Sequence, residues 1–145
     1  MDIHLYLRVY ILILDMAENR ISTKRIALVT GSSSGIGFET ALLLARNGFD
    51  TFASMRNMDK SKEITDIANK ENLPLQALEL DVTDDRSVDD AINNISTEKK
   101  SIEVVVNNVG YGLARSVEDS SLDEIKTQVE TNFLEIFESC RRYCQ

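Results

Sequence analysis

Short apolar runs and helical stripes alternate along the chain. "RIALVT" (25–30) has the unbroken apolar character of a strand buried on both faces, and a cluster of glycine and serine follows it. Phe38, Ala41, Leu42 and Ala45 then recur on one helical face, with Asn47-Gly48 as a stop signal. "FDTFAS" (49–54) is a second strand. Ile64, Ile67 and Ala68 mark a second helix, broken near Pro74. "LQALELDV" (75–82) is a third strand, and Val88, Ala91, Ile92 and Ile95 repeat at helical spacing after it. "IEVVVNN" (102–108) is a fourth strand. Ser121 and Glu124 then form a capping box that opens a helix with the stripe Ile125, Val129, Ile136.

Strand and helix in strict alternation predict βαβ crossovers: an α/β, Rossmann-like parallel sheet with helices on both faces, truncated after the fourth strand and its following helix. In such sheets ligands lie beyond the carboxyl ends of the strands, where the glycine-serine cluster after the first strand and the Asn107–Gly110 stretch after the fourth both fall. Residues 23–145 form this partial domain and residues 1–22 an N-terminal extension, with Met16 as an alternative start. The run Val9–Leu14 is too short to cross a membrane, and no basic leader or small-residue cleavage site accompanies it.

A net charge of -8 argues against nucleic acid or an anionic membrane as a partner, so any bound anion must be held by local groups. Cys140 and Cys144 are read as incidental thiols of a reducing, cytoplasmic compartment, and His4 is too remote in sequence to complete a metal set.

"TGSSSGIG" (30–37) is the chief candidate for chemistry. Gly31, Gly35 and Gly37 let backbone N–H groups approach a ligand, and the helix that follows presents unpaired donors and a partial positive charge. A pyrophosphate suits that arrangement. A Walker loop does not, because Phe38 follows Gly37 where a Lys-Ser/Thr pair is required. Arg56 follows the second strand, where an arginine accommodates a ribose 2′-phosphate and an acid would bind a free 2′-hydroxyl. Arg56 is read either as that contact, favouring NADP over NAD, or as a solvated loop residue. By position alone Asp81 reads as a helix lead-in, and Asn107, Asn108 and Gly110 as a strand-ending turn. Asn132 lies on the apolar stripe of the last helix, where its amide must find partners. It either bonds neighbouring backbone or holds a water at an active site.

In order and separation, "TGSSSGIG", "DVTD" (81–84), "NNVG" (107–110) and "TNF" (131–133) resemble the short-chain dehydrogenase/reductase family of the classical type, over about residues 25–133. The resemblance covers the N-terminal, cofactor-binding half alone. It implies NADP(H)-dependent hydride transfer to or from a carbonyl or alcohol. Pyrophosphate binding would fall to Gly31, Ser32, Ser33, Gly35, Ile36 and Gly37, with adenine contacts from Asp81 and Val82. Asn107, Asn108 and Gly110 would support the adenosine side, Arg56 would contact the 2′-phosphate, and Asn132 would be the catalytic asparagine. The basic residue often found before the middle glycine is Ser34 here, and Val109 stands where alanine is usual.

The resemblance also implies a serine, and a tyrosine with lysine four residues on, as the rest of the catalytic set. No tyrosine of this chain has lysine at that spacing; the nearest imitation, Tyr111 with Arg115, has a side chain that keeps its proton. The chain is therefore expected to bind cofactor without turnover. Its fourth strand is expected as an exposed apolar edge and, with the last helix, as a surface for self-association or a partner. A non-catalytic nucleotide-binding or interaction module and a truncated gene product are the other two readings.

Overall fold

The computed structural model describes residues 10–13, 25–96, 102–112 and 116–134. Four parallel strands form the body of one sheet: β2 (Ile26–Val29), β3 (Asp50–Met55), β4 (Leu75–Glu79) and β5 (Ile102–Asn107). A short strand, β1 (Tyr10–Ile13), joins them antiparallel, and the spatial order is β1-β5-β2-β3-β4. The helices α1 (Gly35–Arg46), α2 (Lys62–Glu71) and α3 (Asp85–Ser96) connect the parallel strands. α4 (Leu122–Val129) follows β5 and runs into a π-helical segment, Glu130–Leu134.

Successive side chains of a strand face opposite ways, so the central strands supply two cores. Ile26, Leu28 and Val105 pack with Val88, Ala91 and Ile95 of α3. Val29, Ala53 and Val106 pack with Phe38, Ala41 and Leu42 of α1 and with Ile64 and Ala68 of α2. The sheet is thus covered on both faces, which is why β2 can be apolar at every position. Asn47 caps α1 with its side-chain N–H on the Leu43 carbonyl, and Gly48 takes a φ of 84° to leave the helix, as the Asn-Gly stop signal requires.

At the ends of α1 and α2, Arg46 donates from Nε and Nη2 to the two carboxylate oxygens of Glu71, at 2.8 and 2.7 Å. This hydrogen-bonded pairing holds the Glu71 carboxyl below its ordinary range and raises Arg46. A lowered carboxyl contributes stability above its unfolded pKa and loses it as pH falls through the folded one. Glu71→Gln is therefore expected to melt slightly lower than wild type at pH 7. The gap should close as the pH drops below the ordinary glutamate value of roughly 4.3; thermal melts at pH 7 and pH 3 check this.

The structure corrects one expectation. β5 is not an open edge, because β1 pairs along it with Tyr10 opposite Asn107 and Ile13 opposite Val104. Tyr10–Ile13 of the N-terminal stretch thus belong to the sheet. The stripe of α4 is left partly uncovered, with Val129 45% exposed. Ile136, Cys140, Cys144, His4 and the Met16 start lie outside the described residues. Among those described, no helix is long and apolar enough to cross a membrane.

Candidate functional site

Between β2 and β5 the chain changes direction across the sheet. β2 leads through α1 to β3 on one side, while β4 leads through α3 back to β5 on the other. Crossovers that depart to opposite sides leave a crevice beyond the carboxyl ends of the two strands, the usual ligand position in open α/β sheets. The 30–37 loop and the 107–110 loop both emerge there.

Thr30 fastens the two loops together. Fully buried at the end of β2, it donates its N–H to the Val106 carbonyl at 2.9 Å. Its Oγ1 accepts the N–H groups of Asn108 at 3.0 Å and Val109 at 3.3 Å. Asn108 returns the contact, donating from Nδ2 to the Gly31 carbonyl at 3.1 Å. Its buried Oδ1 has no protein partner, an acceptor that a ligand or water donor would satisfy.

The glycines fill different roles within the loop. Gly31 and Gly35 take φ values of 68° and 62°, in the left-handed region open to glycine. Gly37 is needed for closeness instead: a Cβ there would meet Asn108 Nδ2 at 2.4 Å and the Gly31 carbonyl oxygen at 2.5 Å. The helix consequently starts hard against the strand ends. Ser34, at its N-cap, makes no side-chain cap bond, and no acid occupies the first turn. The first N–H groups of α1 are left to an anion from outside the helix.

A cavity of about 440 Å³ opens at this point, lined by Gly31, Ser33, Gly35, Ile36, Arg56 and Asn108 among others. Val82 and Gly110 line it too, with Met55, Leu80 and Val109 supplying further apolar wall. A volume in this range takes a small-molecule ligand, and the combination of backbone donors, apolar wall and one arginine fits a nucleotide diphosphate. Ile36, 52% exposed, is an apolar side chain left open at its rim.

Besides Gly37, four expected site residues do not line this cavity: Ser32, Asn107, Asp81 and Asn132. Ser32 is fully buried, donating its N–H to the Ser54 carbonyl and its hydroxyl to the Val29 carbonyl, both at 2.8 Å. It ties the loop down and offers a ligand neither group. Asn107 is buried at the end of β5. Asp81 lines a neighbouring cavity of about 600 Å³ with Arg56, Arg86 and Asp90. Its carboxylate accepts from the Thr83 N–H and hydroxyl at 3.0 and 2.7 Å, the helix lead-in geometry.

Asn132 is half-buried in the π-helical segment. Its Oδ1 accepts the Tyr111 N–H at 3.0 Å, and its Nδ2 donates to the Tyr111 carbonyl at 2.8 Å. Gln128 Nε2 donates to the same carbonyl at 3.1 Å. The partners of its amide are thus the backbone of the loop after β5. Tyr111 itself is 43% exposed.

Thr30 and Ser54 had no expected role. The signal for both was a hydroxyl residue closing an apolar strand, where only hydrogen-bonded polar groups are tolerated. Ser54 donates its hydroxyl to the Val29 carbonyl at 3.3 Å, beside the Ser32 hydroxyl. Among the described residues no three His, Cys, Asp or Glu side chains gather as a metal set.

The model of a family described as "short chain dehydrogenase" matches residues 25–145. The "Probable short-chain type dehydrogenase/reductase VdlC" of Helicobacter pylori is 32% identical over 112 residues, which is 77% of this chain and 39% of that protein. A gluconate 5-dehydrogenase from Burkholderia cenocepacia, solved with NADP and tartrate, superposes with a TM-score of 0.73 at 25% identity, covering 83% of this chain and 47% of its own. An actinorhodin polyketide ketoreductase solved with NADPH has the same fold, with a TM-score of 0.78 at 22% identity over 84% of this chain and 47% of that one. The chain spans about two-fifths to half the length of these proteins.

Proposed function

Because the chain belongs to the short-chain dehydrogenase family, we propose that it forms the cofactor-binding half of an oxidoreductase that uses NADP(H) to interconvert a carbonyl and an alcohol. The observation that carries the reading is the loop Gly31–Gly37, set at the strand crossing with the first N–H groups of α1 left uncapped. A diphosphate seated there takes hydrogen bonds from backbone that is already fixed, so little ordering cost opposes binding. The structures solved with NADP and NADPH support the choice of ligand.

Gly31, Ser33, Gly35 and Ile36 would hold the pyrophosphate, and Ser32 and Gly37 would keep the loop in shape for it. Leu80, Val82 and Val109 would give the adenosine an apolar wall, with Asn108 and Gly110 beside it. Asp81 would act on the adenine side through the turn it caps. The nicotinamide, when bound, supplies the hydride acceptor or donor. Asn132 would position the loop after β5 by its clasp on Tyr111, as this chain's member of the family's catalytic set. No tyrosine with lysine four positions on lies within these 145 residues, so the residues in hand are assigned to holding the cofactor. A freely diffusing nicotinamide dinucleotide and a cysteine count of two suit a cytoplasmic protein.

Arg56 separates NADP from NAD. Lining both cavities beside the adenosine end, its guanidinium would meet the 2′-phosphate, a charge-assisted contact of about 1.5–3 kcal/mol. Titration calorimetry should show NADPH binding more tightly than NADH, and Arg56→Ala should weaken NADPH by about ten- to a hundredfold while leaving NADH little changed. Equal loss for both would remove the 2′-phosphate assignment. No binding of either would remove the cofactor proposal.

A further inference from the structure

The loop after β5 is fastened at two places. At the first, Thr30 Oγ1 accepts the N–H groups of Asn108 and Val109. At the second, the N–H and carbonyl of Tyr111 both pair with the Asn132 side chain, at 3.0 and 2.8 Å, and this already gives each of the two backbone groups a partner. Gln128 nevertheless donates from Nε2 to the same Tyr111 carbonyl at 3.1 Å, occupying the second lone pair of an oxygen whose first is taken. The two amides stand four residues apart, Gln128 at the end of α4 and Asn132 in the π-helical segment, a spacing that brings side chains to one side of a helix.

We infer that Gln128 is a positioning residue for the loop after β5 and, through that loop, for the cofactor cavity. The Asn132 pairing by itself leaves the Tyr111 peptide free to swing about the amide that holds it. A third bond, from a residue one turn away, removes that freedom. Val109 and Gly110, between the two fastenings, line the cavity, which Gln128 does not reach. Their placement is close on both sides. A Cβ at Gly110 would come within 3.1 Å of Asn132 Oδ1, and one at Gly31 within 3.2 Å of Val109 Cγ2. The cavity wall thus abuts the clasp in one direction and the glycine loop in the other, so that a displacement of Tyr111 is passed on to the seat of the diphosphate. Glutamine suits the task, since a glutamate would turn an acceptor toward a carbonyl oxygen and add a third negative charge beside Glu124 and Glu130 in sequence. The effect on the ligand rests on the cofactor reading above, whereas the hold on Tyr111 does not.

The test compares three side chains at this position in the full chain. Gln128→Met keeps the length and removes the donor, and Gln128→Lys supplies a donor again. In the methionine variant the Tyr111 N–H is expected to exchange with deuterium about three- to tenfold faster than in wild type, followed by NMR. Titration calorimetry should show NADPH weakened by about the same factor, the worth of one hydrogen bond. Lysine should recover most of both. The thermal melts of the two variants should move no more than those of ordinary surface substitutions. A methionine variant with wild-type exchange at Tyr111, or one whose lowered melting temperature is the only change, would overturn the positioning role. Faster exchange with unaltered NADPH affinity would overturn the link to the cavity. If wild type bound no NADPH, the cofactor reading would fall, and exchange at Tyr111 would still decide for or against the hold that Gln128 exerts.

Discussion

Gly37→Ala is expected to cost about 1–3 kcal/mol in a urea melt, the usual range for overpacking a close-packed site, and to weaken NADPH at least about tenfold. The added methyl carbon would fall 2.4 Å from Asn108 Nδ2 and 2.5 Å from the Gly31 carbonyl oxygen. Neither neighbour can retreat freely. The Gly31 carbonyl belongs to the loop backbone, and Asn108 is held to it by the bond that the methyl would break. The loop must shift, and its N–H groups shift with it. Gly35→Ala is the informative control, since nothing lies within 4 Å of a Cβ there and only the φ of 62° opposes it. Left-handed strain of about 1–2 kcal/mol is offset by about 0.4–1 kcal/mol from a stiffer unfolded chain, so this variant should lose much less stability. Equal effects at the two glycines would contradict the assignment of Gly37 to packing.

Thr30→Val is the second large effect, expected at about 2 kcal/mol, with Thr30→Ser restoring most of it. Valine keeps the shape and removes the oxygen that receives the Asn108 and Val109 N–H groups. Those donors sit in a partly buried turn, and a stranded donor costs roughly 1–3 kcal/mol. Because the same two groups set the height of the 107–110 loop over the cavity, NADPH affinity should fall in the valine variant and return with serine. Calorimetry on the three proteins separates this from a purely structural loss: a valine variant that melts early but binds normally would leave Thr30 outside the site.

The parts of the fold governed by local chemistry were legible before the structure. The stripe Val88, Ala91, Ile95 is buried against β2 and β5, the Ser121–Glu124 capping box forms with both of its hydrogen bonds, and Asn47-Gly48 ends α1. Each rests on spacing within one segment. The strand β1 was not legible, because "YILI" has neither the alternation of a half-exposed strand nor a turn to a neighbour. It becomes a strand by meeting β5, whose sequence lies some ninety residues away. Which residues gather around the glycine loop could be read from motif order, whereas the direction of their side chains could not. Ser32 turns inward because the Val29 and Ser54 carbonyls accept or receive its groups there, and Asp81 folds onto Thr83 because that hydroxyl is two residues away. Asn132 satisfied the rule that a carboxamide on an apolar stripe needs partners, but the partner, Tyr111, depends on where the loop after β5 is led.

The Asn132 clasp has a practical corollary. Tyr111 lies three residues beyond Asn108, and Asn108 hangs from Thr30, so fixed backbone contacts run from the floor of the glycine loop to the turn where α4 widens into a π-helix. The side-chain amide resonances of Gln128 and Asn132 are therefore natural antennae: an NMR titration that follows those two signals would register the seating of a dinucleotide from a vantage point outside the cavity wall.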